Sequence, residues 1–285
     1  MSEKKEVKDQ FIIAYLPDLD NTQTIIDNAI CFAKMLNKGL ILLYISDKAY
    51  KCVSITDAEI LLKELSSKIT GIGFHSYCAI EGQTKDIINK IPHLLSGVLL
   101  VSATEDKTNA KGKEKLASNP DIMLKNLYTS RIAYFISSQN LNSNLPFNKV
   151  VMTIDNMRES KEKVLWGSYF GRFANSEVIV YYHNYKDEFY RHQLHYNIKF
   201  VMRMFDNFKI KYNLYLSSNS KTFVDYQAID YAKENNADLI ICQTTKNKSW
   251  FEELFTLKER KVINNSQQVP VLFVNPREDL FILCE

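Results

Sequence analysis

"FIIAYLPDLDNTQTIIDNAICFAKMLNKGLILLYISD", residues 11–47, holds two short apolar runs separated by a polar turn and an amphipathic segment. Ile25, Ile26, Ala29, Ile30, Ala33 and Leu36 recur there at helical spacing, and Gly39 is placed as a C-terminal cap. The stretch therefore reads strand, helix, strand. The same order returns in "KVVMTIDNMRESKEKVLWGSYFGRFANSEVIVYYHNY", residues 149–185. Ile12 to Leu40 and Val150 to Val178 are both separated by 28 residues, so the copies are offset by 138. Three more landmarks keep that order: 81–88 beside 219–226, "GVLLVSA" (97–103) beside "DLIICQT" (238–244), and "RIAYFIS" (131–137) beside "PVLFVNP" (270–276). The offset drifts by only three residues, which marks an internal repeat.

Each copy reads β-α-β-α-β-α-β-α-β. Its strands are continuous apolar runs, as expected of a sheet covered on both faces. Alternating strands and helices imply a parallel, doubly wound α/β sheet. Asn119-Pro120 supplies an N-cap and a first-turn proline for the last helix of the first copy. The boundaries expected are a first domain over 8–137, a linker over 138–148 rich in Ser and Asn, a second domain over 149–276, and a tail over 277–285. The tail carries an apolar cluster, Phe281 to Cys284, which is expected to pack on something.

Composition sets limits. The chain has 285 residues, 46% hydrophobic and 24% charged, with a net charge of +3. That charge is too small for a dedicated nucleic-acid binder. The first ten residues, "MSEKKEVKDQ", lack the apolar core of a secretory signal, and no apolar run is long enough to span a bilayer. The five cysteines are scattered and include no C-x-x-C pair, which points to a reducing, cytoplasmic setting.

The landmarks resemble the universal stress proteins, in a tandem form covering nearly the whole chain. "VVMTIDNMRES" (150–160) is similar to the family's first strand ending in Asp, and "EVIVYYHN" (177–184) to its second. "AIDYAKENNADLIICQT" (228–244) resembles its helix, Ala-Asp and fourth strand, and "VPVLFVNP" (269–276) its fifth. The first copy departs, with Gly97 in place of Asp and Arg131 in place of Pro. The resemblance implies two five-stranded parallel sheets of the adenine-nucleotide α-hydrolase-like type, in order 3-2-1-4-5. It also implies pairing of the two domains through their fifth strands. A homodimer or a protein partner would be compatible with it.

Family members that bind ATP carry Gly-x-x-Gly after strand four, then Gly-Ser. Glycines let backbone N–H groups approach the phosphates, and a helix N-terminus adds partial positive charge. Here the aligned second-half positions are Gln243, Lys246, Thr256 and Leu257, and no glycine follows Gly171. The first-half positions are Ser102, Glu105, Ala117 and Ser118; only Ser118 keeps the expected type, and Glu105 would repel a phosphate. Asp155 matches the Asp that contacts nucleotide, with Pro17 and then Asp18 near the equivalent place in the first copy. The family's backbone contact to adenine maps onto Ile45 and His183. A strand-end Asp is also a common turn former. Lys246 and Lys248 could hold an anion as point charges, though a charge run on a turn is usually only solvated.

The expectation is a binding and regulatory protein in stress response, not an enzyme, with conventional ATP binding lost and no cofactor. The alternative is a nucleotide-binding regulator taking ATP with Mg through Asp155 and a loop without glycine. His192 and His195, three apart on a helix, suit a surface better than a metal site. No nucleophile signature is present. Gly167 and Gly171 share a helix face and should allow close packing, while Tyr169, Phe170 and Phe173 should be core. Neither a nucleic acid nor a membrane is expected as partner.

Overall fold

The computed structural model describes residues 10–105, 116–128, 130–138, 147–217, 223–244, 257–265 and 269–275, without the side chains of 257 and 258. Lys246, Lys248, Trp250, Thr256, most of the linker and the tail lie outside the described residues. Ten strands form one sheet. In the first half these are β1 (Phe11–Tyr15), β2 (Gly39–Ser46), β3 (His75–Glu81), β4 (Gly97–Thr104) and β5 (Ala133–Ser138). In the second they are β6 (Lys149–Thr153), β7 (Glu177–His183), β8 (Tyr212–Ser217), β9 (Leu239–Gln243) and β10 (Val271–Val274). The order is β3-β2-β1-β4-β5-β10-β9-β6-β7-β8. Each half is thus parallel and runs 3-2-1-4-5 in its own count.

Helices cover both faces. On one lie α1 (Gln23–Leu36), α2 (Ile55–Ser67), α5 (Glu162–Phe173) and α6 (Glu188–Asn207); on the other lie α3 (Thr84–Leu94), α4 (Pro120–Leu127), α7 (Val224–Glu234) and α8 (Leu257–Asn264). The strands explain why two faces are needed. In β1, Ile12 and Ala14 pack on the α1 side and Ile13 and Tyr15 on the α3 side, all buried. Ile12 and Ile13 each contribute about 1.5–3 kcal/mol when removed from water.

Caps and close contacts follow the sequence only in part. Asn119 caps α4, its Oδ1 accepting from the N–H groups of Asp121 (3.1 Å) and Ile122 (3.4 Å). Gly39 does not cap α1. Asn37 takes the left-handed position, at φ 51°, ψ 52°, which asparagine tolerates. Gly39 instead opens β2, where a Cβ would lie 2.6 Å from the Phe11 ring. Gly167 and Gly171 pack closely as expected: a Cβ on Gly171 would stand 2.3 Å from Ile210 Cγ2, and one on Gly167 2.9 Å from Met152 Sδ. Of the three aromatics expected in the core, only Phe170 is buried; Tyr169 is half-buried and Phe173 is exposed. Their positions on α5 turn them toward a cleft rather than toward the sheet.

The halves meet edge to edge. β10 runs antiparallel to β5, with Val271 opposite Ile136, Leu272 opposite Phe135, and Phe273 opposite Tyr134. The Tyr134 and Phe273 rings stack at 5.1 Å. These two residues occupy matching positions in the repeat, so their stack sits on the local pseudo-twofold axis. Across one face, Phe32 of α1 touches Phe135, Phe147 and Phe170, with ring centroids 5.0, 5.1 and 6.0 Å apart. Across the other, Arg260 of α8 meets Asp121 of α4 at 2.7 Å.

Candidate functional site

In a doubly wound sheet, ligands bind outside the carboxyl ends of the strands. The antiparallel join puts the two carboxyl ends at opposite ends of the molecule. In the first half, Ser102 ends up inside the sheet, its hydroxyl donating to the Tyr15 carbonyl at 2.9 Å. Asp18 and Ser118, which are 100 positions apart in the chain, come together here. The Ser118 N–H donates to Asp18 Oδ2 at 3.2 Å. Burial holds the Asp18 carboxyl above its usual range, opposed by hydrogen bonds from Ser118. Glu105 lies close by, its own carboxyl raised by burial and by the Asp18 charge. The Ser118 carbonyl accepts from the Glu105 N–H at 3.2 Å, tying the two sides of the site together. Ile45 is buried within β2, paired opposite Ile80 of β3.

Beside it, Asp47 organises the next turn. Its Oδ2 accepts from the N–H (2.8 Å) and hydroxyl (2.9 Å) of Thr84, while Oδ1 accepts from the Ala49 N–H (3.0 Å). The Tyr15 hydroxyl is buried, and burial pushes its phenol far up.

In the second half, Asp155 is half-buried and serves the turn that follows β6. Its Oδ1 accepts from the Met157 N–H at 3.0 Å, and its N–H donates to the Ser160 hydroxyl at 3.2 Å. Asn197 of α6 clamps that turn, donating to the Asp155 and Met157 carbonyls at 2.8 Å each. His183 ends β7. Burial lowers its pKa, against the charges of Asp155 and Asp225, which favours the neutral imidazole. Its Nδ1 is buried with no hydrogen-bond partner. Gln243 ends β9, and its Oε1 is likewise buried, with no hydrogen-bond partner among the described residues. Leu257 opens α8, but its side chain lies outside the described residues.

Lys163 is the residue that sequence reasoning missed. It sits in the first turn of α5, fully buried, with its Nζ donating to Thr153 Oγ1 at 3.2 Å and no carboxylate paired to it among the described residues. In sequence it is one charge among several in "RESKEK", and nothing there distinguishes it. Its burial depends on the helix register, which carries the side chain over the end of β6. His192 and His195 are exposed, His192 lying 3.6 Å from Glu188, and no metal-binding cluster occurs among the described residues. No described helix is long and apolar enough to cross a membrane.

Sequence comparison finds no matching family model and no matching curated protein. The architecture does have relatives. A universal stress protein from Archaeoglobus fulgidus DSM 4304 superposes with a TM-score of 0.72, covering 94% of this chain and 98% of its own, at 13% identity. The chain has the universal stress protein fold, in two copies. A putative universal stress protein from Pseudomonas aeruginosa UCBPP-PA14 agrees, with a TM-score of 0.60, coverage of 93% of both chains and 14% identity. A protein of unknown function from Pseudomonas aeruginosa PAO1 superposes with a TM-score of 0.59 over 93% of this chain and 92% of its own, at 14% identity. At these identities the universal stress protein fold is what is shared, and the residues of the two sites must be read on their own chemistry.

Proposed function

We propose that this chain is a cytoplasmic binding and regulatory protein of the universal stress protein type, acting in stress response without catalytic turnover. Domains 8–137 and 149–276 pair through their fifth strands, and conventional ATP binding is lost. The observation that carries this reading is the Asp18 carboxylate on the Ser118 N–H. A backbone donor suited to a phosphate is already taken by the chain's own anion, with Glu105 beside it. A phosphate placed about 4 Å from such a carboxylate would meet a repulsion of roughly 4 kcal/mol at an intermediate dielectric. Calorimetric titration with ATP and Mg²⁺ is expected to give no binding heat. A low-micromolar affinity would overturn the proposal.

The second half supports a narrower reading, that of a nucleotide or other anion held without glycines. Lys163 offers a buried amino group, while His183 Nδ1 and Gln243 Oε1 are buried polar atoms without partners among the described residues. Such atoms cost about 1–3 kcal/mol each unless a ligand or water satisfies them. Under this reading the second half binds an anion and the first does not. Inorganic phosphate or ATP would then bind the parent protein at one site, and Lys163→Met would weaken that binding at least tenfold while leaving the fold intact.

A further inference from the structure

A cleft of about 680 Å³ lies between the halves, at the amino ends of β4 and β5 and the carboxyl end of β10. Gly97, Val98 and Ala133, near the amino ends of β4 and β5, line it together with Val274 and Asn275. Its wall is the outer face of α5. There Trp166 meets Tyr169 edge-on at 5.6 Å, and Tyr169 stacks on Phe173 at 6.0 Å. Lys38 and Arg131 stand at the rim, neither making an ion pair among the described residues, with Glu162 also lining the cleft. Half-exposed aromatic rings in a concave surface of this size favour an apolar occupant.

We propose that the occupant is residues 276–285 of this same chain, "PREDLFILCE". Asn275 is itself part of the cleft lining, so the segment starts inside the site with no linker to span. Ten residues reach roughly 30 Å when extended, enough to cross the cleft. Their chemistry matches the wall. Leu280 to Cys284 is an uninterrupted apolar run suited to Trp166 and Tyr169, and Glu278 and Asp279 precede it with charges opposite to those of Lys38 and Arg131. The starting point of the segment also gives it a high effective concentration, which favours it over any separate chain with the same sequence. The cleft is thus an intramolecular binding site for residues 276–285.

A nitroxide on Cys284 tests this in the full chain. Cys31, Cys52 and Cys78 are replaced by Ser, and Cys242, which is buried, is left in place. The chain has two tryptophans, so a Trp250→Phe variant assigns the Trp166 indole N–H resonance. The nitroxide is expected to reduce that resonance at least threefold, with recovery on chemical reduction. Phe281→Asp combined with Ile282→Asp is expected to restore it. Full intensity in the labelled parent would overturn the proposal, as would broadening that survives the double substitution. Equal broadening when the nitroxide sits only on a second, isotopically silent copy would also overturn it, by showing that the occupant is a neighbouring molecule.

Discussion

Asp18 carries a penalty that its hydrogen bonds only partly offset. Burial raises its pKa on folding, so its ionised form opposes folding. The sign follows from linkage: stability is greatest below the unfolded-state pKa and is lost as pH rises through the higher folded value. Asn at this position keeps an acceptor for the Ser118 N–H and removes the charge beside Glu105. Asp18→Asn is therefore expected to be more stable than the parent at pH 7 and close to it at pH 3, as measured by urea unfolding. Other single residues differ in how far the sequence exposes them. The Ala-Asp signature is legible because Asp238 ties two strands together locally. Its carboxylate accepts from the Lys149 N–H at 2.9 Å, and its own N–H donates to the Lys149 carbonyl. Any sequence that pairs these two strands this way profits from an acid there. The role of Asp155 was readable in both senses, and its described hydrogen bonds are those of a turn. Lys163 was illegible, since a buried lysine and a solvated one look the same in a run of charges.

At the scale of elements, eight of the ten strands could be read directly, because a run buried on both faces has no polar alternative; the edge strands β3 and β8, half-buried and largely exposed, lack that signal. Ends and caps were harder. Gly39 follows α1 closely enough to suggest a cap, yet Asn37 fills that position and leaves the glycine to a crowded strand start. The close fit of α5 makes a sharper test. A methyl at Gly171 would meet Ile210 well inside contact distance, on a buried side chain that has little room to retreat. Gly171→Ala is expected to cost about 1–3 kcal/mol in chemical unfolding, despite alanine's better helix propensity. An unchanged or raised stability would mean that α5 can slide along its neighbours. The cleft beside α5 was not legible at all, since it gathers residues from Gln10 to Asn275 and exists only once the two halves are joined.

At the scale of the whole molecule, two kinds of contact hold the halves together, and their magnitudes differ. Phe273 is buried against Tyr134, whereas the Arg260–Asp121 pair is about half exposed. Phe273→Ala is expected to cost about 3–5 kcal/mol. Arg260→Ala should cost about 1 kcal/mol or less. Equilibrium denaturation of both variants compares them; equal losses would assign the join to surface charge rather than to the apolar seam. The antiparallel join has one more consequence. In a doubly wound half, the helices start where the strands end, so their backbone dipoles add and point one way. Turning the second half end for end against the first sets those two summed dipoles in opposition. The protein therefore presents a positive helix-terminal field at the carboxyl end of each half and little net moment overall, so an approaching anion feels two local attractions and no single pole.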